Sequence, residues 1–440
     1  MKKKVTENVG KIFKSLIISI FICCSLVSCK DYPKFDGYGN VMLLYSAGYN
    51  SLSPYLQQDI EEISSNFVPW DLPGRTVLLI FSRQTKKYGD YTTPSAPLLM
   101  RVYKNDKDKI VRDTLDVSWL DENTMASDAS TINKVLTYIR DEYPSDSYGM
   151  IMSSHASGWL PSGYFASPSK WEDSHSKATI SGKNFSNRRY TVSEPYAEPT
   201  PGTLMTKSFG EDRNGKDSYQ VEIKDLAAAI PYKLDYILFD ACLMGCVEVA
   251  YQFRNVCEKM AFSQAEVLAD GFNYKTIAES LIGGSDPDLE GVCKDFYEYY
   301  NAKSGDEKSA TISMVYPGKM DDLASVCKTL FAKYRTKINS LDGNYVQVFC
   351  GGNRNFFYDL EDILAKAGAT DSELSELKSA LSKCVGYTGC TGQYYSAIDA
   401  KSHKVTAFSG FTMYLPSEGT DNLNECYKVY DWNSATELVK

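Results

Sequence analysis

The feature that most constrains the fold of this chain is the alternation of short apolar runs with amphipathic helical patterns. Several of the runs are apolar on both faces, as expected of strands that are covered on two sides. Strands are predicted at Val41–Ser46, Thr76–Ser82, Leu98–Tyr103, Tyr148–Ser154, Tyr236–Ala241, Met260–Ser263, Ala310–Tyr316 and Phe408–Leu415. This alternation predicts an α/β fold in which helices cover both faces of a largely parallel sheet.

Helical patterns with apolar residues three or four positions apart occupy most of the intervals between these strands. They lie at Ser53–Ser65, Thr124–Arg140, Leu243–Cys257, Asp288–Tyr300, Met320–Arg335, Leu360–Ala367 and Ser372–Leu381. One stretch, from about 161 to 215, breaks the alternation because it is rich in Ser, Pro, Gly, Tyr and charge. A long segment of this kind inside a compact domain is usually functional or disordered, so it is predicted to be a polar insert.

The N-terminus has the pattern of a targeting segment. Several lysines precede an apolar run from Leu16 to Leu26, which is short for a membrane span but typical of a signal peptide. The run ends in LVSC, which resembles a bacterial lipobox with Cys29 as the lipidated residue. We therefore expect a signal peptide over residues 1–28 and a mature chain anchored by lipid in the cell envelope, in the periplasm or on the cell surface, with the outer membrane favoured. The alternative is a plain secretory signal followed by a chance cysteine.

Charge and cysteine content exclude some functional classes. The formal net charge is −9 and no basic cluster is interleaved with aromatics, so a nucleic-acid partner is not expected. Nine cysteines follow Cys29, an odd number without paired CxxC spacing, which disfavours a zinc ribbon. Export permits disulfides, and Cys384 with Cys390 could close one short loop. The odd number predicts at least one free thiol.

One of the three histidines stands out by its position. His155 directly follows a strand of the buried type, within SSHASGW, whereas His175 lies in the polar insert and His403 in a charged turn. Loops at the carboxyl ends of parallel strands are where α/β proteins place active sites. His155 is therefore a candidate catalytic residue, and the alternative is a structural loop histidine.

A second candidate lies in FDACLMGCVEV, which follows the strand ending near Ala241 and opens the third predicted helix. Cys242 would there meet the positive end of the helix dipole, which favours the thiolate. Cys246 falls one helical turn later and is expected to be a small core residue. The alternative for Cys242 is likewise a buried core cysteine.

Taken in order, SSHASGW and FDACLMGCVEVAYQF resemble the histidine and cysteine motifs of the clostripain-like cysteine peptidases. Weaker similarities follow in MAFSQAEVLADGFNY, FFYDLEDIL and GFTMYLP, and together they cover most of the chain. The resemblance implies a caspase-like three-layer α/β/α sandwich and a catalytic dyad. By position it implies Cys242 as nucleophile, His155 as general base, and Asp240 as the acidic floor of the primary specificity pocket.

Two departures from the family pattern concern the rest of the site. The family usually has glycine after the histidine, where this chain has Ala156, whose amide is expected to bind the oxyanion together with the amide of Cys242. Gln264 and Ala265 stand where the family often carries acidic residues, so the rim of the pocket is expected to differ. For Asp240 the alternative is a helix cap or a turn former.

The sequence thus predicts a clostripain-like peptidase domain over 29–440 that forms a thioester and cleaves proteins or peptides after Arg or Lys. Basic residues in the insert make self-cleavage an open question. No cofactor or metal is expected: some relatives need calcium, but no EF-hand-like spacing occurs here. Two alternatives remain open: an inactive surface-binding lipoprotein that keeps the peptidase fold, and a carbohydrate-binding lipoprotein suggested only by the 32 tyrosines.

Overall fold

The structure is a computed structural model that describes residues 37–72, 75–87, 90–174, 190–191, 212–214, 217–352 and 355–440. The predicted signal peptide, Cys29, His175 and most of the polar insert lie outside these residues, so the predictions made for them stay predictions. Residues 38–440 group into one compact unit. Within the described ranges, no helix combines the length and the apolar character that a membrane span requires.

Strands and helices alternate along the chain. The strands are β1 (Tyr38–Ala47), β2 (Val77–Arg83), β3 (Thr85–Lys87), β4 (Asp90–Pro94), β5 (Leu98–Lys104), β6 (Ile110–Thr114), β7 (Ser145–Ser153), β8 (Tyr190–Thr191), β9 (Asp212–Asn214), β10 (Asp217–Tyr219), β11 (Leu234–Asp240), β12 (Cys257–Phe262), β13 (Thr311–Val315), β14 (Tyr358–Asp359), β15 (Val385–Cys390), β16 (Gln393–Ser396), β17 (Lys401–Lys404) and β18 (Thr412–Met413). The helices are α1 (Ser53–Ile63), α2 (Ala129–Glu142), α3 (Pro168–Ser174), α4 (Ile223–Ala229), α5 (Val247–Gln252), α6 (Ile277–Ile282), α7 (Leu289–Asn301), α8 (Asp321–Ile338), α9 (Leu360–Ala367), α10 (Asp371–Cys384), α11 (Asp421–Tyr427) and α12 (Asp431–Thr436). Short 3-10 turns lie at Gly305–Glu307, Pro317–Lys319, Gly343–Tyr345 and Pro416–Glu418.

The core is a nine-stranded sheet with the order β15-β13-β12-β11-β7-β1-β2-β5-β6. Its five central strands, from β12 to β2, are parallel. On each side two further strands follow, and each of them is antiparallel to its inner neighbour. All seven residues of β2 are buried, as expected of a strand covered on both faces. The predicted α/β fold with a largely parallel central sheet is confirmed.

Helices supply the outer layers of the sandwich. Helices α2, α4, α5, α12, α8 and α10 contact one another in succession, while α6 contacts α7, and α7 packs on β12, β13 and β15. Side chains fix several helix starts: Asp128 accepts a hydrogen bond from the Ser130 amide at the start of α2. Thr370 and Glu373 form a capping box at the start of α10.

The five parallel strands all have their carboxyl ends at one edge of the sheet, which is called here the carboxyl edge.

One predicted helix is wrong in a way that affects the site. The pattern at Leu243–Cys257 predicts a single helix, but α5 begins only at Val247, with Cys246 as its N-cap residue. Leu243 has a φ of 63°, a left-handed conformation that cannot belong to a right-handed helix. Cys242 therefore does not lie at a helix N-terminus, and Cys246 does not lie in a helix interior.

The strand predicted at Phe408–Leu415 is also mostly wrong. Only Thr412–Met413 is a strand, and it pairs with β14 in a separate two-stranded sheet rather than joining the core. Gly410 has a φ of 90°, which turns the backbone out of an extended conformation. Its carbonyl oxygen accepts a hydrogen bond from Gln264 Nε2 at 2.7 Å, so the segment is held by a side chain at this point.

The short disulfide loop considered for Cys384 and Cys390 does not form. The strand β15, Val385–Cys390, extends between them, and an extended segment of this length separates its ends by about 17–20 Å. A disulfide requires Cα atoms roughly 4.4–6.8 Å apart. All nine cysteines in the described ranges are free thiols.

Candidate active site

The two predicted catalytic residues lie at matching positions on neighbouring strands. In the parallel pair of β7 and β11, Ser153 is directly opposite Asp240. His155 follows Ser153 by two residues, and Cys242 follows Asp240 by two residues. Because adjacent strands are about 4.8 Å apart, the two loops leave the carboxyl edge side by side.

The two loops also touch. Gly158 has a φ of 58°, and a Cβ atom at this position would lie 2.5 Å from the carbonyl oxygen of Leu243. The glycine in SSHASGW is therefore required for the close approach of the histidine loop to the cysteine loop. Leu243 itself has positive φ, and conformations of this kind in residues other than glycine concentrate at functional sites.

The thiol of Cys242 is fully buried and points at the segment that follows β12. Its Sγ accepts a hydrogen bond from the amide of Val267 at 3.0 Å, and it lies 3.7 Å from the Val267 carbonyl oxygen. The amide of Leu243 binds the carbonyl of Ala265 at 3.1 Å, which ties the cysteine turn to the same segment. An amide donor stabilises negative charge on the sulfur, so Val267 replaces the helix dipole expected from the sequence.

The imidazole of His155 is 4% exposed and contacts a residue that the sequence did not single out. Its Nε2 lies 3.0 Å from Oγ of Ser51, in the loop between β1 and α1. In the tautomer with hydrogen on Nε2, the ring donates to Ser51 and its Nδ1 can accept a thiol proton. The side chain of Asn50 holds this loop, donating to the Ala47 carbonyl and accepting from the Leu52 amide, each at 3.0 Å.

The carboxylate of Asp240 is fully buried at the end of β11, two residues before Cys242. Its Oδ2 accepts hydrogen bonds from the hydroxyl groups of Ser153, at 2.9 Å, and Tyr274, at 2.8 Å. Burial and the charges of Asp240 and Asp59 raise the pKa of Tyr274 well above its ordinary value. Val267 and Tyr274 lie in the same segment, so Asp240 and Cys242 face the same side, as the spacing predicts. Sequence reasoning identified neither Tyr274 nor Asp59.

The rim residues that depart from the family pattern are held in the interior. Gln264 is buried and donates to Ser313 Oγ at 2.9 Å. Ala265 is fully buried, and Glu266 accepts hydrogen bonds from Ser396 Oγ and from the amide of Ala397. These contacts tie the segment that binds Cys242 to the hairpin of β16 and β17.

Ala156, predicted to help bind the oxyanion, lies beside His155 and lines a cavity of about 90 Å³. Phe239 and Ala241 line the same cavity. Phe239 directly precedes Asp240 in β11, and successive side chains of a strand point to opposite faces, so the cavity lies on the opposite side from the predicted specificity carboxylate. The role of Ala156 stays a prediction.

The chain returns from the insert to this same edge. Asp212 forms a buried ion pair with Arg83, which ends β2, and burial raises the pKa of Asp212 to about 6 although Arg83 opposes the shift. Gln220 Oε1 accepts a hydrogen bond from the amide of Gly163 at 2.9 Å. The two ends of the insert are therefore fastened next to the loop that carries His155.

The sequence profile of the clostripain family, Peptidase C11, matches residues 44–181 and 200–438. The chain belongs to the clostripain family. Both candidate catalytic residues, and the whole of the carboxyl edge described above, fall inside the matched ranges.

Individual relatives agree with this assignment. Clostripain of Hathewaya histolytica is 23% identical over 257 residues, an alignment that spans 55% of this chain and 42% of clostripain. The solved structure of an inactive zymogen C11 protease from Parabacteroides distasonis has a TM-score of 0.69 and 27% identity, covering 91% of this chain and 98% of that one. A secreted C11 cysteine protease from Bacteroides thetaiotaomicron has a TM-score of 0.67 and 24% identity over 91% of this chain and 99% of its own, and shows the fold.

Proposed function

We propose that this protein is a lipid-anchored cysteine endopeptidase that cleaves proteins or peptides after lysine or arginine. Cys242 acts as the nucleophile and His155 as the general base. One observation carries the proposal: Ser153 and Asp240 are paired on adjacent parallel strands, so His155 and Cys242 extend from the same point of the carboxyl edge. The contact between Gly158 and Leu243 keeps the two loops together.

The chemistry follows from these positions. His155 accepts the thiol proton, and the Cys242 thiolate attacks the carbonyl carbon of the scissile bond. The amides of Ala156 and Cys242 stabilise the oxyanion of the tetrahedral intermediate. His155 then donates its proton to the leaving amine as the thioester forms, and water activated by His155 hydrolyses the thioester. Ser51 acts as a positioning residue because it holds Nε2 of the ring.

Specificity is assigned to Asp240. Its carboxylate lies on the same side as Cys242, and its Oδ2 accepts hydrogen bonds from the hydroxyl groups of Ser153 and Tyr274. A guanidinium or ammonium group of the substrate would form a charge-assisted hydrogen bond with this carboxylate. Because Cys242 and Asp240 are both fully buried, the segment that covers them has to move before a peptide can bind.

The test compares fluorogenic peptides that end in lysine, arginine or a neutral residue, with wild type, Cys242→Ala and Cys390→Ala. Cys390 is the matched control, because it is a half-buried free thiol on an outer strand of the sheet. Hydrolysis of basic peptides by wild type and Cys390→Ala, but not by Cys242→Ala, is the expected result. Equal hydrolysis by all three proteins would contradict the proposal, and no hydrolysis by wild type would favour the inactive binding lipoprotein.

Lipid attachment at Cys29 forms the second part of the proposal. The lipobox pattern supports it, and it places the enzyme in the cell envelope. Cys29→Ser should abolish metabolic labelling with a fatty acid and release soluble protein or leave uncleaved precursor. Labelling that persists in Cys29→Ser would contradict this assignment while leaving the peptidase activity intact.

We also propose that the activity needs no metal or cofactor, because a thiolate and an imidazole complete the reaction. The described residues contain no group of three or more His, Cys, Asp and Glu side chains arranged to hold a metal ion. Because the proposed steps use only the thiol and the imidazole, activity should survive dialysis against EDTA. If EDTA abolished the activity and calcium restored it, a calcium site would be required and this part of the proposal would be wrong.

A further inference from the structure

The edge of the sheet opposite the candidate active site has a different surface. At this edge, called here the amino edge, β1 begins at Tyr38 and β2 begins at Val77. The antiparallel strands β5 and β6 bring Lys104 and Ile110 to the same edge. The ten residues of β1 separate the two edges by about 33 Å.

Three exposed apolar side chains lie together at the amino edge. Trp70, Leu72 and Ile110 are 44%, 48% and 41% exposed, and they are three of the five large apolar side chains exposed in the described ranges. The backbone of Trp70 pairs with Lys104, which pairs in turn with Ile110. The Leu72 amide binds the Trp70 carbonyl at 2.9 Å. We call this group of Trp70, Leu72 and Ile110 the amino-edge patch.

The patch is adjacent to the point where the chain enters the fold. The Arg101 guanidinium lies 5.9 Å from the ring of Tyr38, the first residue of β1. It also pairs at 2.7 Å with Asp71, which stands between Trp70 and Leu72 in the chain. A single side chain therefore connects the start of the folded domain to the patch.

The covalent tether is short. Eight residues separate Cys29 from Tyr38 in the sequence. A fully extended chain spans at most about 3.6 Å per residue, so a lipid on Cys29 would hold Tyr38 within about 32 Å of the membrane. Because β1 is about as long as this tether, the amino edge reaches the bilayer more readily than the carboxyl edge does.

We propose that the amino-edge patch rests on the lipid surface, with Trp70, Leu72 and Ile110 inserted at the interface between headgroups and acyl chains. This inference depends on the lipid anchor given above. Tryptophan prefers the interface, and the Lys104 ammonium, 5.5 Å from the Trp70 ring, can extend toward headgroups. The chain carries a net charge of −9, so apolar insertion rather than attraction to anionic lipid drives the contact.

The consequence is a fixed orientation of the enzyme. With the amino edge on the bilayer, the carboxyl edge with Cys242 lies on the side away from the membrane. The distance between this edge and the bilayer is then about the length of β1. The substrates reached in this orientation are proteins and peptides in the surrounding solution, not segments embedded in lipid.

The test uses residues 30–440 with an N-terminal hexahistidine tag in place of the lipid, since residues 38–440 form one compact unit. The protein is tethered to phosphatidylcholine vesicles that contain a nickel-chelating lipid and brominated acyl chains. Bromine quenches tryptophan fluorescence only at contact with the acyl region. The other four tryptophans are partly or fully buried, with Trp119 half-buried and Trp159, Trp171 and Trp432 at most 6% exposed.

Bromolipid quenching of the wild-type emission is the expected result, and it should be lost in Trp70→Phe and reduced in the double variant Leu72→Ser/Ile110→Ser. Tyr345→Ser, which alters an aromatic side chain that is 73% exposed elsewhere, should leave it unchanged. Quenching should also persist at high salt. Hydrolysis of a soluble peptide should be the same for all four proteins.

Quenching that is absent from wild type, or that survives in Trp70→Phe, would overturn the proposal. So would a dimer that buries Trp70 in the absence of lipid, because the patch would then belong to a protein interface. These outcomes are independent of the proposed chemistry, which is measured separately with the soluble peptide, and of natural lipidation, which the tag replaces.

Discussion

The two edges of the central sheet differ in what they bury and what they expose. The carboxyl edge encloses polar groups that proteins rarely desolvate, among them His155, Asp240 and Arg83, each at most 4% exposed. The amino edge leaves Trp70 and Leu72 close to half exposed. Stability alone would favour the reverse arrangement, because burying polar groups is unfavourable and burying apolar surface is favourable. Each edge therefore indicates a function.

The cysteine turn shows the same contrast on a smaller scale. Cys242 and Cys246 are four residues apart and both are fully buried. The Cys242 sulfur receives an amide hydrogen bond at 3.0 Å, whereas burial, together with the charge of Glu248, raises the pKa of Cys246 well above its usual value. The two cysteines of one motif therefore differ in their surroundings: the Val267 amide donates to Cys242, and the Glu248 carboxylate lies near Cys246.

The largest expected effect comes from removing the dyad at the carboxyl edge. Cys242→Ala and His155→Ala should each lower kcat/KM by at least about 1000-fold, because neither residue can act without the other. The unfolding midpoint should change little. Cys246→Ala, four residues away in the same motif, should keep activity close to that of the wild type. Equal losses of activity in Cys242→Ala and Cys246→Ala would show that both changes act through the structure, and would contradict the role of Cys242 as nucleophile.

The next largest effect concerns the buried carboxylate. Asp240→Asn removes the negative charge but can still accept a hydrogen bond from Ser153 or Tyr274. Loss of a buried charge partner costs about 3–5 kcal/mol, so cleavage after lysine and arginine should fall by a factor of hundreds to thousands. Cleavage after neutral residues serves as the control and should change far less. A wild type that prefers neutral residues would refute the role of Asp240 and leave the dyad untouched.

Glu248, beneath the cysteine turn, gives a pH-dependent effect. Its Oε1 accepts a hydrogen bond from the Tyr414 amide at 3.0 Å, and burial raises its pKa from 4.5 to about 7. The folded protein therefore binds a proton more tightly than the unfolded chain does. The destabilisation by Glu248 is absent below about pH 4.5, grows as the pH rises to 7, and reaches about 3 kcal/mol above that.

Replacing this group should remove that pH dependence. Relative to wild type, Glu248→Gln should gain unfolding free energy between pH 5 and pH 8, as measured by urea denaturation at each pH. The glutamine oxygen can still accept from the Tyr414 amide, so the change isolates the charge. A difference between the two proteins that is constant with pH would show that Glu248 does not titrate in this range.

The smallest effect is expected at the residue that positions the histidine. Ser51→Ala removes one hydrogen bond to Nε2 and should lower kcat/KM about five- to tenfold, consistent with a net loss of about 1 kcal/mol. The pH profile of Cys242 alkylation should shift as well, which a purely structural change would not produce. Ser53→Ala is the matched control, since its hydroxyl binds Gln84 and Thr85 rather than the histidine. An unchanged alkylation profile in Ser51→Ala would remove Ser51 from the mechanism.

Strands that are buried on both faces could be predicted from the sequence, because burial requires a continuous apolar run. The edge strand β6 has no such run, since three of its five residues are charged or polar and four are exposed, so its apolar pattern does not predict a strand. The helix that was expected to start at Leu243 starts at Val247 instead. The apolar spacing correctly predicts which face of this helix is buried. It does not predict the left-handed φ of Leu243, which delays the start of the helix.

The residues of the candidate site that lie at or just after the ends of strands could be predicted from the sequence. His155 and Cys242 each follow a strand and Asp240 ends one, and parallel strands bring their carboxyl ends together. Ser51, Tyr274 and Val267 could not be found, because their contacts depend on loops whose paths are set by tertiary packing. The one sequence signal for Ser51 is its place in the loop that follows the first strand.

The most direct test of the dyad is covalent labelling with a peptidyl electrophile that ends in lysine, followed by peptide mass spectrometry of wild type and His155→Ala. We expect one adduct in the wild type, located on Cys242 although eight other free thiols are present in the described ranges. We also expect that His155→Ala loses this adduct while its fold is intact. Labelling spread over several cysteines, or labelling of Cys242 that does not depend on His155, would contradict the account.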